Sequence, residues 1–210
     1  MTFFTIIRHG ETEWNLDGRQ QGQLDSPLTS RGEMQAEMAA LALKDHHYDV
    51  FFASDTGRAM QTAWIISSIS GISPIIPEPG LREQHMGILQ GLTIKQFRET
   101  YPDAYIKFIN NDPEYNFEIG ESRRQRYERN VKTLHNIAAE QDKSNVLIVS
   151  HGGFLDSVMR LIFSLPLDAM RTFSLYNAGI QRIQHDRGTW RLLSWGETGH
   201  LSGTESLDDG

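Results

Sequence analysis

Short apolar runs alternate along the chain with longer stretches in which apolar residues recur at helical spacing. Phe3 to Arg8 is aromatic and β-branched and stops at His9-Gly10, which predicts a buried strand. Ser30 and Glu33 form a capping-box pattern ahead of Met34, Met38, Leu41 and Leu43, predicting a helix that runs to Lys44. Asp49 to Ser54 reads as a second short strand. Asp55 or Thr56 can cap the next helix, whose apolar face holds Ala59, Ala63, Ile66 and Ile69 and which Gly71 ends. Pro74 to Pro77 is a short strand, edge-like because of its prolines. Residues 84–120 are less periodic and rich in aromatics, and are expected to be a cap insertion that partly covers something. A helix follows from about Glu121 to Gln141, and Asn145 to Ser150 is the clearest buried strand. Gly152 opens a helix through Leu155, Val158, Met159 and Ile162. Two more strands, Thr172–His185 and Thr189–Trp195, flank the turn Asp186-Arg187-Gly188. Residues 1–200 are expected to form a single domain and 201–210 a disordered tail.

Strands alternating with helices predict an α/β fold, a three-layer α/β/α sandwich with a mainly parallel sheet and helices on both faces. In such sheets ligands bind beyond the carboxyl ends of the strands. Composition narrows the chemistry. Hydrophobic residues make up 39% and charged residues 22%, as in ordinary globular proteins. No apolar run reaches the roughly 18 residues that cross a bilayer, and Met1-Thr2-Phe3-Phe4 lacks a basic leader, so no membrane partner and no signal peptide are expected. The chain has no cysteine, which excludes disulfides, thiolate metal sites and cysteine nucleophiles and fits a cytoplasmic location. A net charge of −7 argues against a nucleic-acid partner. Any anion site must therefore be a local gathering of Arg and His.

Such a gathering falls at the predicted strand ends. The first strand ends in Arg8-His9-Gly10 and the strongest in Ser150-His151-Gly152-Gly153. Arg58 lies about one turn into the helix after Ser54, and Leu81-Arg82-Glu83 follows the proline-flanked strand. Phosphoryl transfer needs these residue types. Its transition state spreads negative charge over three equatorial oxygens, onto which Arg8 and Arg58 can fork. Gly152 at a helix start leaves backbone N–H groups facing an anion. A histidine can attack phosphorus, and Glu83 can protonate the departing alkoxide and then deprotonate water.

The run Arg8-His9-Gly10-Glu11-Thr12 with Asn15 resembles the signature of the histidine phosphatase (phosphoglycerate mutase-like) superfamily. The likeness continues in order through Gly18–Gly22, Asp25–Thr29, Ser54–Arg58 with Gln61-Thr62-Ala63, Leu81-Arg82-Glu83, Gly120-Glu121-Ser122 and Ser150–Gly153. It implies His9 as nucleophile, Glu83 as proton donor, and Arg8, Arg58 and His151 as the phosphate pocket, with Asn15, Gln21 and the Gly152 backbone beside it as substrate-binding groups. No cofactor and no metal is expected; the two arginines would repel a cation. The implied substrate is a small-molecule phosphomonoester, with phosphoglycerate, phosphoserine, sugar phosphates and α-ribazole phosphate as candidates.

Phosphoglycerate mutases of this superfamily carry a longer basic, tyrosine-containing run after the proton donor. Gln84 to Gly91 lacks it, which favours a phosphatase. Mutase activity and a non-catalytic phospholigand-binding regulator stand as alternatives, and His9, His151 and Glu83 also read as a metal set. Arg123, Arg124 and Arg126 are expected on a solvated helix face, one of them able to reach a second anionic group on the substrate. His46, His47, His135, His185 and His200 are expected at the surface, and Phe51, Phe52, Phe173 and Tyr176 in the core. The two C-terminal strands offer an edge for a homodimer.

Overall fold

A computed structural model describes residues 1–204 and contains the strands β1 (Thr2–Arg8), β2 (Val50–Ala53), β3 (Ile75–Pro77), β4 (Asn145–Ser150), β5 (Ile180–Asp186) and β6 (Thr189–Glu197). The helices are α1 (Glu13–Leu16), α2 (Ser30–Leu43), α3 (Gly57–Ser70), α4 (Ile94–Thr100), α5 (Pro102–Ile109), α6 (Arg123–Glu140) and α7 (Gly152–Phe163). The six strands form one sheet in the order β3-β2-β4-β1-β5-β6. β1 to β4 run parallel, and β5 and β6 add an antiparallel hairpin at one edge. The expected three-layer, mainly parallel α/β sandwich is what the chain adopts.

Both faces of the sheet are covered by helices, so its central strands are mainly apolar. On one face Phe4, Ile6, Val146 and Ile148 pack against Leu134 and Ile137 of α6 and Phe154, Leu155 and Val158 of α7. On the other, Ile7, Leu147 and Val149 meet Ala39, Ala40 and Leu43 of α2 and Ala59, Ala63 and Ile66 of α3. Each large side chain so buried stabilises the layers by roughly 1.5–3 kcal/mol. β1 and β4 are direct neighbours, pairing Arg8 with Ser150, so His9 and His151 leave the sheet side by side.

Several local expectations change. Thr29, rather than Ser30, caps α2, its hydroxyl accepting from the Gly32 N–H. Met34 and Leu41 face solvent; the inward face is Gly32, Gln35, Ala36, Ala39, Ala40 and Leu43, because the close approach of α3 selects small residues. Ile69 of α3 is exposed. The strand expected from Thr172 begins only at Ile180. The stretch before it turns under the end of β1, where Asn177 Nδ2 and the Ala178 N–H donate to the His9 carbonyl at 3.0 and 3.3 Å. Phe173 and Tyr176 are consequently half-buried, as are His185 and His200. The tail expected to begin at 201 is ordered at its start: Gly199–Leu201 forms a 3₁₀ turn and buries Leu201. The remainder of that expectation, 205–210, lies outside the described residues.

Residues 84–120 carry α4 and α5 with an apolar cluster of their own, Leu89, Phe97, Ala104 and Phe117. α4 opens with a full capping box between Thr93 and Gln96. Phe108, Ile109, Tyr115 and Phe117 of this segment form one wall of a cavity of about 1110 Å³ at the carboxyl ends of the parallel strands. Among the described residues no helix is long and apolar enough to cross a membrane.

Candidate active site

His9 stands at the end of β1, 2% exposed. Its Nδ1 lies 2.8 Å from the Gly10 carbonyl, which can only accept, so Nδ1 carries the proton and Nε2 keeps its lone pair. Nε2 accepts a hydrogen bond from Arg58 Nε at 3.2 Å. Burial, then Arg58 and Arg8, hold the His9 pKa well below the ordinary imidazole value. The imidazole is neutral near pH 7, the form able to donate an electron pair.

Arg58 is as deeply buried and is aimed by three acceptors on one loop. Nη1 donates to the Leu24 carbonyl (2.8 Å) and to Asp25 Oδ1 (3.0 Å), and Nη2 to the Gly22 carbonyl (2.8 Å). Asp25 also accepts from the backbone N–H groups of Gly57 and Arg58, so one carboxylate caps α3 and orients the side chain it presents. Arg8 donates to the Leu175 carbonyl and lies against Gly152, where an added Cβ would sit 3.8 Å from its Nε.

His151 is fully buried at the N-cap of α7, its ring 5.2 Å from that of His9, centroid to centroid. Its Nε2 is 2.8 Å from Ser54 Oγ and 3.1 Å from Thr56 Oγ1, while Nδ1 has no hydrogen-bond partner. Thr56 precedes α3 yet makes no side-chain cap there, because its hydroxyl is engaged by His151. Burial, then the nearby cations and His9, lower the His151 pKa well below the usual value.

Glu83 reaches the same place from beyond β3. Its Oε2 accepts from the Gly153 N–H at 2.8 Å and its Oε1 from the Gln84 N–H at 2.7 Å. Gly153 is required here, since a Cβ at that position would stand 1.9 Å from Glu83 Oε1.

Arg8, His9, Arg58, Glu83 and Gly152 thus line one cavity, with His151 buried behind His9. Asn15 and Gln21 line it too, and both also hold the entrance loop together. Asn15 Oδ1 accepts from the Thr12 N–H and hydroxyl, and Gln21 Nε2 donates to Thr12 Oγ1 at 2.8 Å. Among the described residues no group of three or more His, Asp or Glu side chains is placed to hold a metal ion.

The family profile of the histidine phosphatase superfamily (branch 1) matches residues 4–198. The chain belongs to this superfamily. It is a phosphomonoesterase of the histidine phosphatase type, and its fold agrees with solved members. The structure described as Bacillus stearothermophilus YhfR superposes with a TM-score of 0.88 at 31% identity, covering 96% of this chain and all of that one. Similar relatives carry two kinds of name. A "Probable phosphoglycerate mutase GpmB" from Serratia proteamaculans is 34% identical over 97% of this chain and 96% of its own length. A "Metal-independent phosphoserine phosphatase" from Arabidopsis thaliana is 35% identical over 100% of this chain and 87% of its own.

Within this family fold, three groups lay beyond sequence reasoning. Asp25, Ser54 and Thr56 act through tertiary partners 33 to 97 residues away, which no local pattern shows. Arg126, expected on a solvated face, is 6% exposed and pairs with Asp156 inside the cavity wall. Arg123 lines the same wall; of the three, only Arg124 points outward, to Glu114. The i,i+4 pair Asp156–Arg160 was the available signal, since it puts a charged stripe on an otherwise apolar helix.

Proposed function

We propose that this chain is a metal-independent phosphatase that hydrolyses a small phosphomonoester through a phosphohistidine on His9. The observation that carries the reading is the state of His9: neutral, its Nδ1 proton anchored on Gly10, its Nε2 lone pair facing Arg58. An arriving phosphate takes over Arg58 as its partner and leaves Nε2 free to attack. Arg8, Arg58 and the N–H groups at the start of α7 then surround the phosphoryl oxygens, with His151 backing His9 from behind. Asn15 and Gln21 border the alcohol side.

The electron pair of Nε2 forms the N–P bond while the ester P–O bond breaks. Its electrons leave on the alkoxide oxygen, which takes a proton from Glu83. Water then gives a proton to Glu83 and its oxygen attacks phosphorus. The P–N bond breaks, the pair returns to Nε2, and inorganic phosphate is released. The Gly153 and Gln84 N–H groups keep the Glu83 carboxyl fixed through both half-reactions.

The test is phosphate release from p-nitrophenyl phosphate and a panel of natural phosphomonoesters in excess EDTA. The wild type turns over, and His9→Ala loses at least about a thousandfold in kcat while keeping its fold by circular dichroism. Near-full activity in that variant would overturn the covalent route. Isomerisation of 3-phosphoglycerate without hydrolysis would replace the phosphatase with a mutase.

A further inference from the structure

Past Glu83 the cavity continues into a second basic arm. Arg123 and Arg126 enter it from the start of α6, and Arg160 from α7. Arg126 and Arg160 share a single carboxylate, Asp156, at 2.5 and 3.0 Å. Arg123 has neutral partners alone, the Leu167 carbonyl at 2.6 Å and Asn111 Oδ1. Arg171, Asp112 and Asp168 line the same cavity, so beyond Glu83 four guanidinium groups stand against three carboxylates. Burial first, and then Arg126 and Arg160, lower the pKa of Arg123, against the opposing pull of Asp156 and Asp168.

Part of this arrangement is a strap. Arg160 donates to the Pro166 and Ala169 carbonyls and Arg123 to Leu167, which ties down the loop after α7. A strap needs donors, however, and neutral amides supply those without gathering positive charge in a protein of net charge −7. Nor does it account for Arg126, which lines the cavity, is 6% exposed and bonds Asp156 and Gln84 rather than the loop. An excess of guanidinium charge lining a cavity is offset by an anion bound there, so a ligand carboxylate is the natural complement. Its distance from the chemistry is short. Arg126 Cδ and Glu83 Oε1 lie 3.1 and 1.9 Å from the point where a Cβ on Gly153 would stand.

We propose that Arg123 and Arg126 form a second anion subsite, which selects phosphomonoesters bearing a carboxylate within a few bonds of the ester oxygen. A carboxylate offers two coplanar acceptors to a guanidinium fork, and its charge offsets the excess in the arm. The inference rests on the reading above, in which the ester phosphate occupies the Arg8–Arg58 end.

Matched ligand pairs test it. O-phosphoserine and phosphoethanolamine differ by one carboxylate, and in 3-phosphoglycerate a carboxylate stands where glycerol 3-phosphate has a hydroxymethyl group. Each is titrated calorimetrically into His9→Ala, so that affinity is read without turnover. The carboxylate-bearing member of each pair is expected to bind about tenfold tighter or more. Adding Arg123→Gln or Arg126→Gln should narrow that gap. Arg123→Gln leaves no carboxylate unpaired, so it is the variant that retains its fold. Equal affinities within each pair overturn the subsite, as does a gap that both substitutions leave intact. Hydrolysis of the same four compounds by the unaltered enzyme separates the two readings. Turnover of all four with equal binding removes the subsite alone; a binding gap with no turnover of any removes the hydrolase alone.

Discussion

His9 and His151 are held neutral in the folded protein, and that state has a thermodynamic sign. Both folded pKa values lie below the unfolded imidazole value of about 6.5, so below that pH the unfolded chain binds more protons than the native one. Their contribution to stability is complete above about pH 6.5 and is lost as the pH falls through the window beneath it. Each histidine steepens that loss by up to about 1.4 kcal/mol per pH unit. Urea unfolding at pH 7 and pH 5 should show a marked fall in stability for the wild type and a smaller fall for His151→Gln. Equal falls in the two proteins would mean that His151 is not held neutral by the fold. Residues of this kind were legible in the sequence because each sits where a strand stops. Asp25 and Thr56 were not legible as partners, since a carboxylate and a hydroxyl in a loop take their meaning from an Arg and a His brought up by other strands. Arg126 was misread for the same reason: its counter-ion, Asp156, is on another helix.

At the scale of elements, the start of α7 joins structure to chemistry. Gly153 lets Glu83 close onto the helix terminus, while Arg8 lies in ordinary contact with Gly152 on the other side. Gly153→Ala is expected to leave stability within about 1 kcal/mol, because alanine suits a helix and the group it meets is the end of a flexible side chain. The displaced carboxyl, however, no longer lies where it must exchange protons, so kcat should fall about a hundredfold. Paired measurements of urea midpoint and turnover check this, and a variant with unchanged kcat would remove Glu83 from the mechanism as drawn. The helices α2, α3, α6 and α7 were readable from periodicity, but α1, α4 and α5 and the facing of α2 were not. Pattern reading turned Met34 and Leu41 inward, whereas helix–helix contact selected the alanines. Likewise Thr172 to Gly179 has strand-like composition and is instead bent beneath β1, where its N–H groups hold the His9 carbonyl.

For the whole molecule, the distribution of charge matters more than its sum. The chain carries −7, yet seven arginines and four carboxylates line the cavity. A positive cleft in a negative shell draws anions from solution at rates that ions screen. kcat/KM for a phosphomonoester should therefore fall several-fold, about three- to tenfold, between 10 and 300 mM salt, with kcat little changed. A flat salt profile would mean that the surrounding acidic surface cancels the cleft. Net charge alone could not reveal this, because it says nothing of which residues face inward.

The side-by-side exit of His9 and His151 from β1 and β4 has a further consequence. Their spacing is inherited from the pitch of a parallel ladder, roughly 4.8 Å between strands, and not from how the loops above them are packed. The distance between the two imidazoles is thus as stiff as the sheet, whatever sequence fills the cap. Segments 84–120 and 164–173 can be rewritten for new esters without moving His9 against His151. A lineage built this way can diversify its choice of alcohol while the phosphorus chemistry stays put.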